Sequence, residues 1–290
     1  MQTIDLIIHS AGQLCVVPGP GPQRGKQLGN LSIIEGGAIA VHGGKIIDVG
    51  ASDKLQATYH SHKSIDARGR CVVPGFVDPH THLPWAGERA DEFEMRLQGA
   101  TYMEIMAAGG GIMSTVRATR RSTLEDLVAV NLPRLQRMLL HGTTSAEGKS
   151  GYGLQTEAEL KQLDAMQRLN ALQPIELSYT FLPAHAVPPD YEGRTDDYVQ
   201  HIVDDMLPAG AAWMAEVGAT LFCDVFCEEG VFDLQQTRRI LQRARDLGYR
   251  LKVHADEFVG LGAAALAVEM GATSADHLVC TPPEDIAALG

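Results

Sequence analysis

His80 and His82 lie one residue apart in the run Pro74-Gly-Phe-Val-Asp-Pro-His-Thr-His-Leu83 and are well suited to hold a metal ion. An apolar segment, Cys71-Val-Val, leads into this run. Side chains at alternate positions of a strand point to the same face, so both imidazoles can reach one ion. In a parallel α/β barrel the C-terminal ends of the strands carry the active site. The position of the pair therefore predicts a metal site at a strand end.

A second pair with the same spacing, His60 and His62, shows that spacing alone is weak evidence. It lies in the polar stretch of residues 58–64, and no apolar run precedes it. We interpret these residues as solvated histidines on a loop.

Five of the eleven histidines fall at predicted strand C-termini, namely His80, His82, His185, His254 and His277. We expect His80, His82 and His254 to supply three nitrogen ligands to one divalent ion, which leaves positions open for water and substrate. The ion is zinc or iron, because histidines with a carboxylate suit both. Metal-bound water, which ionises near neutral pH, is the expected nucleophile.

Two further residues are candidates for catalysis. Glu257 follows His254 by three residues and can act as a general base or hold ring nitrogens of a substrate. His277 can polarise a carbonyl or orient the water, and its alternative role is a core histidine bonded to backbone. Lys149 could bridge a second ion, but its predicted loop setting favours substrate contact or a structural role, so we expect one ion.

The sequence patterns that predict the elements around these residues differ between two parts of the chain. Residues 1–73 contain short β-like runs broken by glycine, with a hairpin at Gly43-Gly44, and predict a small β domain. In residues 74–290 strands alternate with helices, which predicts a parallel sheet or barrel. Helix starts are expected at 122–125 in capping-box form, at 156–159 and at 233–236. The strand candidates are residues 75–79, 143–147, 175–183, 219–227, 250–255 and 272–276.

These patterns amount to six βα units, whereas a closed barrel of this type needs eight. Our interpretation is an α/β protein with a (β/α)8-type metallo-hydrolase barrel that stops after about six units, because an open sheet would expose an apolar edge. An open, doubly wound sheet of six strands is the alternative.

The amino-acid composition limits which classes of binding partner and which cellular compartment we expect. The chain has 290 residues, 45% hydrophobic content and a formal charge of −12, and a net acidic chain disfavours nucleic acid or an anionic membrane as partner. Five cysteines without a Cys-x-x-Cys pair fit a reduced compartment. No signal-like or membrane-spanning run occurs, so we predict a cytoplasmic protein with a small-molecule substrate. A homodimer is one candidate assembly.

Several motifs together are more specific than any one of them. They are Asp78-Pro-His-Thr-His-Leu-Pro-Trp-Ala-Gly-Glu-Arg89, Ala108-Gly-Gly-Gly-Ile112, Lys149-Ser-Gly-Tyr-Gly153, Phe181-Leu-Pro-Ala-His185 and His254-Ala-Asp-Glu257. With these motifs the chain resembles the amidohydrolase superfamily of metal-dependent hydrolases and, within it, the imidazolonepropionase family.

The resemblance implies hydrolysis of the cyclic amide of 4-imidazolone-5-propanoate to N-formimidoyl-L-glutamate in histidine degradation. It also implies that the metal ligands are His80, His82 and His254 and that the substrate contacts are Arg89, Tyr152, His185 and Glu257. The chemistry agrees, because the guanidinium of Arg89 suits a propanoate and Tyr152 offers an aromatic face to a planar ring.

The family pattern also includes a metal-ligating aspartate on an eighth strand and C-terminal strands that complete a composite β-sandwich with residues 1–73. This chain shows neither, and we therefore predict that residues 1–290 alone are poorly active. Two other readings stay open. One is a ring deaminase or another cyclic amidohydrolase of the same superfamily, against which the carboxylate-binding Arg89 argues. The other is an inactive fragment that acts as a binding module.

Overall fold

A computed structural model describes residues 1–289 except 20, 22, 24, 102, 103 and 105–109. The described residues form two compact units, Met1–Gly75 and Phe76–Leu289. The predicted glycine motif at residues 108–112 begins outside the described residues, because 108 and 109 are among those left out.

The first unit is a mixed sheet in which β1 has a central position. The strands are β1 (Gln2–Val16), β2 (Ser32–His42), β3 (Lys45–Ala51), β4 (Tyr59–Asp66) and β5 (Cys71–Val72), in the order β3-β2-β1-β4 with β5 also paired to β1. Short helices cover Gly25–Gln27 and Ser52–Thr58. The predicted hairpin is confirmed: β2 and β3 pair antiparallel, and Gly43 and Gly44 join them with φ of 60° and 73°, which a primed turn requires.

Two predictions for this unit are wrong in detail. The β-like runs at 5–8 and 13–17, which the sequence predicts as separate short strands, are one strand, β1, which is bulged between Ile8 and Ala11 and ends at Val16. His60 and His62 lie in β4 and not on a loop, because backbone pairing with β1 forms a strand despite their polar neighbours. Both side chains are exposed, as expected for solvated histidines.

The second unit is built on six parallel strands in the order β11-β10-β9-β8-β7-β6. The strands are β6 (Phe76–Asp78), β7 (Thr143–Lys149), β8 (Glu176–Ala184), β9 (Leu221–Cys227), β10 (Arg250–Ala255) and β11 (Ser274–His277). All six predicted strands are confirmed, with ends that shift by up to two residues. The strand order never reverses, as it would in a doubly wound sheet, so that alternative is wrong and the sheet forms part of a barrel wall.

Helices follow the strands, and their buried faces pack on the sheet. The α-helices are Ala90–Leu97, Ile112–Arg121, Leu124–Leu140, Thr156–Leu172, Thr195–His201, Leu207–Val217, Leu234–Asp246, Ala263–Glu269 and Pro283–Leu289, and Ile202–Met206 is π-helical. Phe181 of β8 and Val253 of β10 are completely buried in the core between the layers, together with Leu163, Met166 and Ile240 of the helices. Within the described residues, no helix has the length and apolarity that crossing a bilayer demands.

The helix starts test the capping predictions. The helix start predicted at 233–236 is confirmed, and there Asp233 caps Leu234–Asp246 in a capping box with Gln236. The box at residues 122–125 is wrong by one position, since Thr123 pairs with Asp126. At Thr156–Leu172 the N-cap is Gln155, and no side chain caps the helix.

Candidate active site

The five predicted strand-end histidines lie close together. His254 is in β10, His277 ends β11 and His185 directly follows β8. His80 and His82 lie in the irregular segment after β6 and not on the strand itself. The ring centroids are 4.6 Å apart for His80 and His254, 4.9 Å for His80 and His277, and 4.7 Å for His82 and His185. Parallel strands bring these rings together because their carboxyl ends share one edge of the sheet.

Three of the rings direct their Nε2 atoms to a common region. His82 Nε2 lies 3.1 Å from His80 Nε2 and 3.3 Å from His254 Nε2. Nitrogen ligands of a tetrahedral zinc ion, each about 2.0–2.1 Å from the metal, stand about 3.3 Å apart. The residues therefore fit a metal ion. Ring nitrogens of His80, His254 and His277 also lie within 4.8 Å of one another, so His277 borders the same space.

The buried Asp224 and the partly buried Asp276 lie beside two of these histidines, and the sequence motifs did not point to either. Asp276 Oδ2 is 3.0 Å from His80 Nδ1, and Asp224 Oδ2 is 2.9 Å from His254 Nδ1. A carboxylate beside Nδ1 keeps the proton on that atom and leaves Nε2 free to bind an ion. The available signal for Asp224 was a charged residue inside the apolar run of β9.

Lys149 is not a loop residue, so that prediction is wrong. It ends β7, and its side chain is completely buried. Its Nζ lies 2.6 Å from Asp224 Oδ2, 3.0 Å from Glu147 Oε2 and 3.5 Å from Asp276 Oδ2. Burial opposes the charge, but these carboxylates outweigh it and raise the pKa of Lys149. The ammonium is a fixed charge beneath the histidines and is not exposed to a substrate.

Glu257 and His277 face each other at the mouth of the cluster. His277 Nε2 lies 3.5 Å from Glu257 Oε2, and each side chain is 27% exposed. Burial raises the pKa of Glu257, whereas burial and the neighbouring His254 and His80 lower the pKa of His277 to about 4. At neutral pH His277 is therefore neutral. Its exposure and its carboxylate neighbour argue against the core role that was its alternative.

Tyr152 and His185 form a second side of the site. His185 donates from Nδ1 to the carbonyl of Gly151, 2.9 Å away, so its Nε2 is an acceptor. Burial and His254 lower the pKa of His185 to about 3, which keeps the ring neutral. The ring of Tyr152 lies 5.3 Å from that of His185 and 6.0 Å from that of His82. A cavity of about 540 Å³ adjoins them, lined in part by His82, Trp85 and Tyr152.

Arg89 immediately precedes the helix Ala90–Leu97, and its Nη2 lies 2.7 Å from Glu92 Oε2. Burial raises the pKa of Tyr152, and the positive charge of Arg89 partly offsets this rise.

Glu159 holds the loop that carries Tyr152. It lies in the first turn of the helix Thr156–Leu172, as predicted, and its buried carboxylate accepts hydrogen bonds from Gly151 N at 2.8 Å and from Gly153 N and Leu154 N at 2.7 Å. Gly151 has φ of 104°, and a Cβ on Gly153 would come within 2.5 Å of the Glu159 nitrogen. The glycines on either side of Tyr152 are thus required by this close approach.

We expect Glu159→Ala to lower the free energy of unfolding by about 3–5 kcal/mol, because buried N–H groups would lose their charged acceptor. Urea unfolding followed by circular dichroism measures this change. The matched control is Glu157→Ala, an exposed residue in the same first helical turn, with an expected change within about 0.5 kcal/mol. Equal changes in the two variants would show that Glu159 has no such role.

A family model and curated proteins match the sequence of this chain. The model of the family described as "Amidohydrolase family" matches residues 63–123. The imidazolonepropionase of Chloroflexus aggregans is 52% identical over an alignment that covers 100% of this chain and 69% of that protein. The imidazolonepropionase of Symbiobacterium thermophilum is 50% identical, with 100% of this chain and 68% of that protein covered.

Solved structures show the fold. Guanine deaminase of E. coli aligns with a TM-score of 0.57 at 16% identity, over 91% of this chain and 56% of that one. A variant of atrazine chlorohydrolase from Arthrobacter aurescens TC1, complexed with zinc and atraton, aligns with a TM-score of 0.50 at 16% identity, over 93% and 64% of the two chains. From its extended identity to the curated relatives, this chain belongs to the imidazolonepropionase family of amidohydrolases.

Proposed function

We propose that this chain hydrolyses the ring amide of 4-imidazolone-5-propanoate to N-formimidoyl-L-glutamate, at the cluster formed by its strand-end histidines. The observation that carries the proposal is the position of His82 Nε2, which lies 3.1 Å from His80 Nε2 and 3.3 Å from His254 Nε2. The specific reaction is proposed from the imidazolonepropionases that are 52% and 50% identical to this chain over its whole length.

His80, His82 and His254 hold one divalent ion, zinc or iron, in this proposal. A bound ion of this kind polarises a carbonyl and lowers the pKa of a water molecule to near neutrality. The chain's own contribution is to keep three Nε2 lone pairs directed at one place. Asp276 beside His80 and Asp224 beside His254 supply that orientation.

Glu257 and His277 handle the protons. Glu257, whose pKa burial raises, takes a proton from the attacking water as the oxygen bonds to the amide carbon. The same carboxyl returns the proton to the ring nitrogen as the C–N bond breaks, so that the product carries a new carboxylate and a formimidoyl group. His277 is neutral and orients the water or the carbonyl from beside Glu257.

Arg89, Tyr152 and His185 bind the substrate, together with Glu257. The guanidinium of Arg89 pairs with the propanoate, and it is held by Glu92 in the absence of substrate. Tyr152 covers one face of the planar ring and offers its hydroxyl. His185 Nε2 accepts a hydrogen bond from a ring N–H of the substrate, because His185 Nδ1 carries the proton and donates it to the carbonyl of Gly151.

We expect Arg89→Met to raise KM about 10- to 100-fold and to change kcat much less, since the lost charge pair forms in both ground and transition states. Steady-state kinetics measures both constants. Arg96→Met, an exposed arginine on the following helix, is the control and should leave KM unchanged. A fall in kcat alone would exclude a carboxylate-binding role for Arg89.

Metal analysis of the purified chain, paired with the loss of substrate absorbance under anaerobic conditions, tests the function. About one ion per chain with turnover supports the proposal. Bound metal without turnover of this substrate would favour a ring deaminase, against which Arg89 argues because a neutral nucleobase has no carboxylate. Neither metal nor turnover would favour an inactive binding module.

We also propose four further features of the protein, which concern its fold, assembly and cellular location. They are a barrel of eight βα units, a composite β-sandwich that includes residues 1–73, a possible homodimer and a cytoplasmic location. Phe76 and Val77 on the outer strand β6 are 57% and 67% exposed, which supports additional strands beside it.

A further inference from the structure

Beneath the proposed metal histidines lies a group of buried charges, Glu147, Asp224 and Asp276 around Lys149, which we call the Lys149 cluster. The side chains of Lys149 and Asp224 are completely buried, and those of Glu147 and Asp276 are 3% and 15% exposed. Three carboxylates therefore surround one ammonium that is itself completely buried.

The cluster has the ligands of a cation site. One ligand atom each from His80, Glu147 and Asp276 lies within 4.8 Å of the others. Among the residues that the structure describes, Asp224 Oδ1 is buried and accepts no hydrogen bond, and Glu147 Oε2, which also accepts none, has the Lys149 ammonium 3.0 Å away. Buried oxygens of this kind are costly unless a positive charge satisfies them, and carboxylates with a histidine suit divalent ions.

The centre of this site is taken by Lys149. Its Nζ is 2.6 Å from Asp224, 3.0 Å from Glu147 and 3.5 Å from Asp276. Lys252 contributes a second positive charge but only at the margin, 2.8 Å from Glu147 Oε1. A divalent ion among the same oxygens would stand within a few ångströms of the Lys149 ammonium, and repulsion at that distance is strong in a buried site.

We infer that the ammonium of Lys149 stands in the place of a second metal ion and limits this centre to one. The inference rests on the proposed function, which supplies the first ion. It adds a physical reason why the centre binds one ion and not two. By holding Asp224 and Asp276, the same ammonium keeps a carboxylate beside His254 and another beside His80. Lys149 is thus a positioning residue with no contact to substrate.

The test is the number of Mn²⁺ ions bound by Lys149→Ala, which removes the charge and opens the space. We expect one ion in the unaltered chain and two in the variant, measured by elemental analysis after equilibrium dialysis. Electron paramagnetic resonance should then show spin coupling between ions about 3.5–4 Å apart. Lys149→Arg keeps the charge and should remain at one ion without coupling.

Lys252→Ala is the matched control, because it removes an equal charge that touches Glu147 but neither aspartate. It should bind one ion. If Lys149→Ala folds only when Mn²⁺ is added and then holds two ions, the inference is supported. One ion at saturating Mn²⁺, no folding even at saturating Mn²⁺, or two ions in Lys149→Arg or Lys252→Ala would overturn it.

If the proposed function is wrong, the metal-binding measurements give a different result. If the unaltered chain binds no ion, the histidine site is wrong. Uptake of one ion by Lys149→Ala, abolished by the additional change Glu147→Gln, would in that case still support the role of Lys149. No uptake by Lys149→Ala would reject both.

Discussion

Replacing His80 and His82 together by alanine should abolish metal binding and lower kcat/KM by at least about 10³-fold. The two rings provide two of the three converging Nε2 atoms, and a single histidine cannot retain the ion. A metal ion contributes several kcal/mol to such a reaction, and each 1.36 kcal/mol corresponds to a tenfold change in rate. Metal content after dialysis is the primary measurement, and the rate of substrate loss is the second.

The chain contains its own control for this experiment. His60 and His62 have the same spacing but are exposed on β4, with ring centroids 6.5 Å apart. Replacing both by alanine should leave metal content and rate unchanged. If this second double variant also lost the ion, or if the first retained it, the assignment of His80 and His82 would be wrong.

Glu257→Gln should lower kcat by about 10² to 10⁴-fold, the range expected when a general base is removed. The metal should remain bound, because its three histidine ligands are unchanged. Glu229→Gln, at an exposed position after β9, is the control and should behave as the unaltered chain. A variant at Glu257 with normal kcat would exclude a proton-transfer role for that carboxyl.

The pH profile provides an independent check on Glu257. Burial raises its pKa above the ordinary value of 4.5, and the active form of a general base is the ionised one. Activity should therefore fall as the pH is lowered through this raised pKa, at a higher pH than an exposed glutamate would give. The acidic limb should disappear in Glu257→Gln, and its persistence there would assign the limb to another group.

Much of the fold follows from local pattern. Short apolar runs bounded by glycine and polar residues account for strands such as β8 and β9, since buried strands must be apolar and their turns must not. Helix starts were less certain. Thr156-Glu-Ala-Glu159 resembles a helix start with its own side-chain cap, yet Glu159 turns to the preceding loop because three N–H groups there offer a better partner for its carboxylate.

The sequence by itself determined which histidines and which glutamate meet at the strand ends, because parallel strands bring their C-termini to one edge whatever the details of packing. Only the tertiary structure decided how they are held. Lys149 and Asp224 are 75 residues apart in the chain, and Lys149 and Asp276 are 127 apart. Local propensity carries no information on such pairs. Burial removes water from these charges and compels each to find a partner across the sheet, and the partner is set by strand order and register.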